Sequence, residues 1–355
     1  MIGYYVHHHG IGHLMRFLAI SRELRSPVTG LGSMPGPAGW HGPWVRLERD
    51  DAADPTDIAA RDVTAHGTLH WAPLHDAGLA GRTAQLTAWL AEARPSLVVV
   101  DVSVEVTALT RLAGVPVVVV AMPGVRSDRA HRLAYDMAHA LLAPWPAGAH
   151  TTGWPDEWRR KLWAVGGISR FDARVPPDGT TAPTSTRRTE PLRVLLVWGA
   201  GGTDVGASDV AAARAATPGW EWVECSPRSP SPDLWADLRS ADVVVTHAGQ
   251  GAVADVAAAR RPAVVVPQQR PFDEQGATAA AVERLGAGVG LRRWPSDPSD
   301  WPGLLHRALA TGGHGWAQWS SGHGAAAAAG RLDALAGTRR DAPTDPTQVP
   351  TRVPS

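Results

Sequence analysis

Four histidines and two glycines fall within eleven residues near the start of the chain, in the segment VHHHGIGHLMR at residues 6–16. The segment follows an apolar stretch, MIGYYV, and precedes a pattern typical of a helix, HLMRFLAISREL. It predicts a strand, a tight turn at Gly10 and Gly12, and a helix N-terminus. Such a turn offers free backbone N–H groups and the positive end of the helix dipole to an anion or a reacting oxygen. Among the histidines, His13 is the strongest candidate for a catalytic role.

The histidine run has two competing interpretations. Adjacent residues of a strand point to opposite faces, so His7, His8 and His9 are not expected to converge on a metal ion. No neighbouring cysteine or carboxylate completes a ligand set, and we expect no metal site. A dinucleotide-binding fingerprint needs glycine at position 15, where this chain has Met15. We therefore exclude that second interpretation.

Two further candidates follow strand-like runs in the first half of the chain. Asp101 ends the run SLVVVD. It could orient His13, bind an acceptor, or only cap the helix that follows. Arg126 lies in MPGVRSDRAH after the next strand. It could line an acceptor pocket, although a solvated charged loop would look the same in sequence.

The most informative stretch is residues 240–288, where the strand DVVVT leads into His247, Ala248 and Gly249. A helix begins near Gln250, and small residues let a ligand approach its N-terminus, which favours a phosphate. Asp255 lies six residues beyond Gly249, about 9 Å along a helix. A carboxylate at that distance can accept hydrogen bonds from a ribose whose diphosphate sits at the helix tip.

The next strand ends in PQQRPFDEQ, which places three polar residues at the carboxyl edge of the sheet, where ligands of such folds bind. These residues are Asp273, Glu274 and Gln275. Paired acid and amide groups suit the vicinal hydroxyls of a sugar.

These stretches resemble the donor-binding region of the GT-B glycosyltransferases. They are most similar to family 28, which includes the lipid-linked N-acetylglucosaminyltransferase of peptidoglycan synthesis, and to related macrolide and plant-type enzymes. The family pattern of strand, His/Ser-x-Gly, acidic helix residue and Asp/Glu-Gln is met by His247, Gly249, Asp255, Glu274 and Gln275. Asp255 departs from it, because the family more often has Glu there. The matches concentrate in residues 1–20 and 192–290.

The resemblance also implies roles for the two glycine turns. The segment GIGH places His13 at the position of the base that activates the acceptor, with Gly10 and Gly12 on the acceptor side. The segment VLLVWGAGGTD resembles the glycine loop that opens the second domain, which puts Gly199, Gly201 and Gly202 near the donor phosphates.

The elements that must position these residues are short β-branched runs separated by helix-length segments. Apolar strands alternating with helices predict an α/β fold with parallel sheets covered on both faces. The simplest architecture is two Rossmann-like, doubly wound domains facing across a cleft. We predict a first domain at 1–174, a linker at 175–191, a second domain with a terminal helix at 192–337, and a disordered tail at 338–355. Residues 26–75 carry no clear pattern.

The composition of the chain also bears on its binding partners and its location. The chain has 355 residues, 44% hydrophobic, a formal net charge of zero and one cysteine. These values give no reason to expect a nucleic-acid partner, an internal disulfide or a transmembrane segment. We expect a cytoplasmic location, peripheral to a membrane if the acceptor is lipid-linked.

The resemblance implies transfer of a sugar from a UDP- or dTDP-linked donor to a small-molecule or lipid-linked hydroxyl, with inversion. No Asp-x-Asp element is present, which agrees with independence from metal and from any cofactor besides the nucleotide sugar. Two alternatives remain open. One is a nucleotide-sugar epimerase or hydrolase of the same fold, and the other is a catalytically silent partner of a transferase.

Overall fold

The computed structural model of the chain describes residues 1–51, 62–150, 153–175, 191–199 and 201–337. Most of the predicted linker and the whole predicted tail, residues 176–190 and 338–355, lie outside the described residues. No helix among the described residues is long and apolar enough to cross a membrane.

The first domain is built on a sheet of seven parallel strands in the order β3-β2-β1-β4-β5-β6-β7. The strands are β1 (Ile2–Tyr5), β2 (Val28–Gly32), β3 (Trp44–Arg46), β4 (Leu97–Asp101), β5 (Val117–Val120), β6 (Ala140–Ala143) and β7 (Leu162–Ala164). The helices are α1 (Ile11–Glu23), α2 (Ala77–Ala93), α3 (Val104–Leu112), α4 (Arg129–Met137) and α5 (Asp156–Arg160), with a 3-10 turn at Asp172–Arg174. Strands β2 and β3 occupy part of the segment whose sequence shows no clear pattern.

The second domain has five parallel strands in the order β12-β11-β10-β8-β9. They are β8 (Leu192–Val197), β9 (Trp220–Cys225), β10 (Val243–His247), β11 (Ala263–Val266) and β12 (Val289–Gly290). The helices are α6 (Ala207–Ala216), α7 (Leu234–Ser240), α8 (Gln250–Ala259), α9 (Glu274–Arg284), α10 (Trp301–Thr311), α11 (Trp316–Trp319) and α12 (Gly324–Gly337). Single 3-10 turns precede α9 and α10, at Pro271–Asp273 and Pro298–Asp300.

The central strands of both sheets are buried on both faces, as their continuous apolar sequences predict. Every residue of β4 and of β11 is buried. Strand order then decides where a ligand can sit. Each sheet has one place where the order reverses, between β1 and β4 in the first and between β8 and β10 in the second. Loops diverge at such a switch point and leave a crevice outside the carboxyl ends of the strands.

The terminal helix differs from the prediction in two ways. The segment GWAQWSSGHGAAAAAGRLDALAG reads as one helix in sequence but forms α11 and α12, separated at residues 320–323. Ser320 is extended and Gly322 has a φ of +80°, which a continuous helix does not allow. Helix α12, assigned by sequence to the second domain, packs its apolar face into the core around β1 and α1 of the first domain. The chain therefore crosses back between the domains at its end.

Candidate active site

His13 and Asp101 meet at the switch point of the first sheet. Asp101 is the last residue of β4, and His13 lies in the first turn of α1, just beyond β1. His13 Nδ1 is 2.9 Å from Asp101 Oδ1, with Asp101 fully buried and the His13 side chain 15% exposed. Ser103, not Asp101, caps α3, so the helix-cap interpretation of Asp101 is wrong. Of the alternatives open from sequence, the geometry matches the one in which Asp101 orients His13.

The protonation state of Asp101 determines what His13 can do. Burial raises the pKa of Asp101, but the Arg16 guanidinium and His13 outweigh this effect and hold it below its usual value. An ionised Asp101 only accepts hydrogen bonds, so His13 Nδ1 carries the proton that it donates. His13 Nε2 then keeps its lone pair and can take a proton from a hydroxyl group.

Arg16 is a site residue that sequence reasoning missed. Its Nη1 donates to both carboxylate oxygens of Asp101, at 2.8 and 2.9 Å. Its Nη2 donates to Gln250 Oε1 in the second domain at 2.8 Å. The available signal was its position three residues after His13, which places both side chains on one face of α1.

The three histidines His7, His8 and His9 do not all join one group, but His8 and His9 share a carboxylate, Asp51, that the neighbouring sequence does not supply. His8 Nε2 and His9 Nε2 lie 3.2 and 2.8 Å from the same oxygen, Asp51 Oδ2. Strand β1 ends at Tyr5, so the alternation of a strand no longer applies to these residues. Together with Asp51 they form a group that could hold a metal ion. Arg49 already pairs with Asp51 at 2.7 Å, so a cation bound there would face a guanidinium.

The second switch point brings the glycine loop after β8 close to His247, the last residue of β10. A Cβ atom on Gly199 would lie 2.6 Å from His247 Nε2, and one on Gly249 would lie 2.5 Å from its Cε1. Only glycines leave room for the imidazole between these two turns. Gly249 N–H donates to His247 Nδ1 at 3.1 Å, so the hydrogen of the neutral ring is on Nε2. Burial, followed by the charge of Arg270, lowers the pKa of His247 to about 4, which keeps the ring a neutral donor.

Arg270 is the second residue that sequence reasoning missed. Its Nη2 donates to the carbonyl oxygens of Gly201 and Gly202 at 2.6 and 3.1 Å. The contact brings a guanidinium to the glycine loop for which the resemblance implies phosphate contacts. The signal was its place in PQQRPFDEQ, at the same carboxyl edge as the acidic residues that follow.

Gln275 and Glu274 are placed beside this site but are partly committed to other partners. Gln275 Oε1 accepts from the backbone N–H groups of Ala248 and Gln268, at 3.1 and 3.0 Å. This bond braces the loops after β10 and β11, so the oxygen is not free for a sugar hydroxyl. Glu274 Oε2 lies 3.4 Å from Arg126 Nη2 across the domain boundary.

Arg126 is buried, so the interpretation as a solvated loop is wrong. It stacks on the Phe272 ring, 4.9 Å from the ring centroid, and its Nη1 lies 3.1 Å from His131 Nε2. Phe272 and Asp273 both have positive φ values, 61° and 53°, which is strained for residues other than glycine. Their loop packs against Gly124 of the first domain, where a Cβ atom would lie 2.1 Å from Phe272 O. Arg126 therefore helps to hold the two domains together at the cleft.

Asp255 lies at the junction between the domains. Ser169 Oγ donates to its Oδ1 at 2.7 Å, and Arg170 Nε donates to its Oδ2 at 2.9 Å. Its side chain is 7% exposed. These partners already use most of the acceptor capacity that a ribose would need.

One stretch of the second domain matches a known family model. Residues 230–300 match the Glycosyltransferase family 28 C-terminal domain. This confirms the resemblance to family 28 for that stretch. Among curated protein sequences, none matches the chain.

Solved structures are similar over nearly the whole chain. The calicheamicin glycosyltransferase CalG4 aligns with a TM-score of 0.63 at 17% identity, covering 96% of this chain and 99% of that one. MurG of Acinetobacter baumannii aligns with 0.60 at 16% identity, covering 95% and 99%. The spinosyn rhamnosyltransferase SpnG complexed with thymidine diphosphate aligns with 0.52 at 18% identity, covering 95% and 96%. The chain has the GT-B fold, as its sequence predicts.

Proposed function

We propose that this chain is a glycosyltransferase that moves a sugar from a nucleotide-sugar donor to an acceptor hydroxyl, with inversion. The observation that carries the proposal is the position of the His13–Asp101 pair opposite the N-terminus of α8. The bond from Arg16 to Gln250 spans the two sites directly. A base on one wall of the cleft therefore faces an anion-binding helix terminus on the other.

In the proposed mechanism, His13 Nε2 takes the proton of the acceptor hydroxyl as its oxygen attacks the anomeric carbon. The bond from that carbon to the nucleotide oxygen breaks on the opposite face, and the electron pair leaves with the diphosphate. His247 Nε2–H, the N–H groups that begin α8 and the Arg270 guanidinium stabilise the leaving charge. Donors that are oriented before the reaction begins are the most effective kind.

The donor and acceptor classes belong to the same proposal. The thymidine diphosphate in the SpnG structure and the family 28 match support a dTDP- or UDP-linked sugar. We propose a small-molecule or lipid-linked alcohol as the acceptor, as the resemblance to family 28 implies. It would bind against the first domain, where the base lies. We also propose that no cofactor besides the nucleotide sugar is required.

The decisive experiment offers the protein an acceptor library with UDP- and dTDP-sugars and identifies the products by mass spectrometry. We expect nucleotide release that depends on the acceptor, together with a product heavier by one sugar. Release without any acceptor would instead support a hydrolase. Nucleotide binding with no reaction would support a silent partner.

Independence from metal is a separate prediction. The phosphate charge in the proposed site meets His247, Arg270 and a helix N-terminus, so no cation is needed there. We expect turnover to survive EDTA unchanged. Loss of activity with chelator, and its return with a divalent ion, would point to the group formed by His8, His9 and Asp51.

A further inference from the structure

The buried guanidinium of Arg16 connects the candidate base to the second domain. Arg16 is 8% exposed and sits in α1 of the first domain. One of its terminal nitrogens donates twice to Asp101 and the other donates to Gln250, the first residue of α8. Asp101 in turn bonds His13. The chain of contacts therefore runs from the second domain to the candidate base without interruption.

The orientation of the Gln250 amide follows from this contact. Arg16 can only donate, so the atom that faces it is the amide oxygen and Nε2 points elsewhere. Nε2 is buried and has no hydrogen-bond partner among the described residues. A buried donor without a partner costs free energy, which an acceptor oxygen on a ligand would recover. Gln250 stands beside Gly249 at the helix N-terminus, where the proposed donor diphosphate binds.

We propose that Arg16 is a positioning residue that ties the His13–Asp101 pair to the donor domain through Gln250. This inference rests on the proposed function, in which the His13–Asp101 pair acts as the base. One amide then serves both sites: its oxygen holds Arg16, and its N–H meets an oxygen of the bound donor. Asp101 and His13 are held in the reactive arrangement only while α8 lies against α1.

The simpler alternative is that Arg16 only neutralises the buried carboxylate of Asp101. A lysine ammonium could do that, because a single charge within contact distance suffices. Spanning two acceptors that belong to different domains needs the planar fork of a guanidinium. Arg16→Lys and changes at Gln250 therefore separate the two accounts.

The test needs no turnover. The Nδ1 proton of His13, identified by its absence in His13→Ala, is followed by NMR at neutral pH in the full chain. We expect its signal to shift or broaden in Arg16→Lys and in Gln250→Met, which is similar in length and has no amide. It should persist in Gln250→Glu, which keeps an oxygen for Arg16. The matched control is Arg284→Ala, which removes another bond between the domains, from Arg284 to Ala149 O, and should leave the signal unchanged.

Two further measurements complete the test. Turnover at saturating donor should fall about 10- to 100-fold in Arg16→Lys and Gln250→Met, since a small misplacement of a base has effects of that size. Calorimetry with UDP and dTDP should show binding about 10-fold weaker in Gln250→Met, which lacks the N–H and adds no charge beside the diphosphate. A wild-type His13 signal or a wild-type affinity in Gln250→Met would overturn the proposal. If the wild-type chain binds neither nucleotide, the proposed function fails. The NMR comparison alone then tests whether Arg16 and Gln250 hold His13 in place.

Discussion

At the scale of single residues, the chemistry depends on which atoms are left free after the internal bonds are made. His13 commits Nδ1 to Asp101 and keeps Nε2, whereas His247 commits Nδ1 to Gly249 and keeps Nε2–H. The two histidines therefore present opposite functions to the cleft. In the proposed reaction, one is a base and the other is a donor to the leaving group.

The residue-scale prediction concerns His13→Ala. We expect turnover to fall ~10²–10⁴-fold, the usual contribution of a positioned proton acceptor. Nucleotide affinity should stay near wild type, and the variant should still fold, because Asp101 keeps both of its bonds from Arg16. His9→Ala is the matched control, since the His9 side chain is 64% exposed. Near-normal turnover in His13→Ala would remove His13 as the base.

At the scale of elements, the segment after β7 contacts its neighbours through two carboxylates, its own Asp172 and Asp255 of α8. Ser169 and Arg170 hold Asp255 in α8, while Asp172 accepts from the backbone N–H of Ser169 and lies near that of Ala325 in α12. This short segment therefore contacts the donor domain and the terminal helix at once. The two carboxylates give two predictions.

The first prediction compares Asp255→Ala with Arg170→Ala. If the ribose exchanges places with Arg170, the two changes affect nucleotide affinity in opposite directions. We expect Asp255→Ala to weaken UDP or dTDP binding by ~1–3 kcal/mol, as for a lost hydrogen bond to a charged group. Arg170→Ala should strengthen binding, because Asp255 Oδ2 then has no arginine partner. Calorimetry measures both, with Arg174→Ala as the control in the same segment. Weaker binding in Arg170→Ala would show that the arginine itself contacts the nucleotide.

The second prediction concerns Asp172 and pH. Burial raises the pKa of Asp172 from 3.8 to about 6, with Asp255 adding to the effect. Between these two values the folded protein binds a proton at Asp172 that the unfolded chain has released, so the contribution of Asp172 to stability falls as pH rises from about 4 to about 6. Asp172→Asn should remove this decline and make the protein more stable than wild type at pH 7.5. Urea unfolding across the pH range measures it, with Asp156→Asn, at an exposed position, as control. A parallel pH dependence in both Asp172→Asn and wild type would contradict the assignment.

At the scale of the whole molecule, the domains are held together by more than the segment between them. Helix α12 packs into the first domain although it follows the second in sequence. The loop at Phe272 docks on Gly124, and Arg284 bonds Ala149. A fragment limited to residues 192–337 would leave the apolar face of α12 without its partner. Donor binding by that fragment alone, which the sequence-based domain boundaries suggest, therefore needs α12 removed or covered.

The prediction at this scale is for Leu332, which is fully buried where α12 meets the first domain. Leu332→Ala should lower the free energy of unfolding by about 2–5 kcal/mol, the usual cost of such a cavity. Leu112→Ala, at an 85% exposed position, is the control and should change it by less than about 0.5 kcal/mol. Urea unfolding followed by tryptophan fluorescence makes the comparison. Equal stability of the two variants would mean that α12 does not support the first domain.

The sequence by itself determined the local features of this protein. The apolar runs, the turn at Gly10 and the start of a helix at Gln250 are confirmed, because strand burial, turns and helix N-termini depend on neighbouring residues. Gly12 is instead the second residue of α1, so the first turn is shorter than predicted. The same local information placed His13 and Asp101 at the ends of elements. It also carried the resemblance that predicts the GT-B fold.

Only the tertiary structure decided which of these residues meet. Arg16 and Gln250 are 234 positions apart in the chain, and no pattern of neighbours encodes their contact. The same holds for three other contacts between residues far apart in the chain. Asp51 contacts His8 and His9, and Ser169 and Arg170 bond to Asp255. Helix α12 packs against the first domain although it follows the second. Strand order and the packing of the domains set such distances, and a short stretch of sequence carries neither.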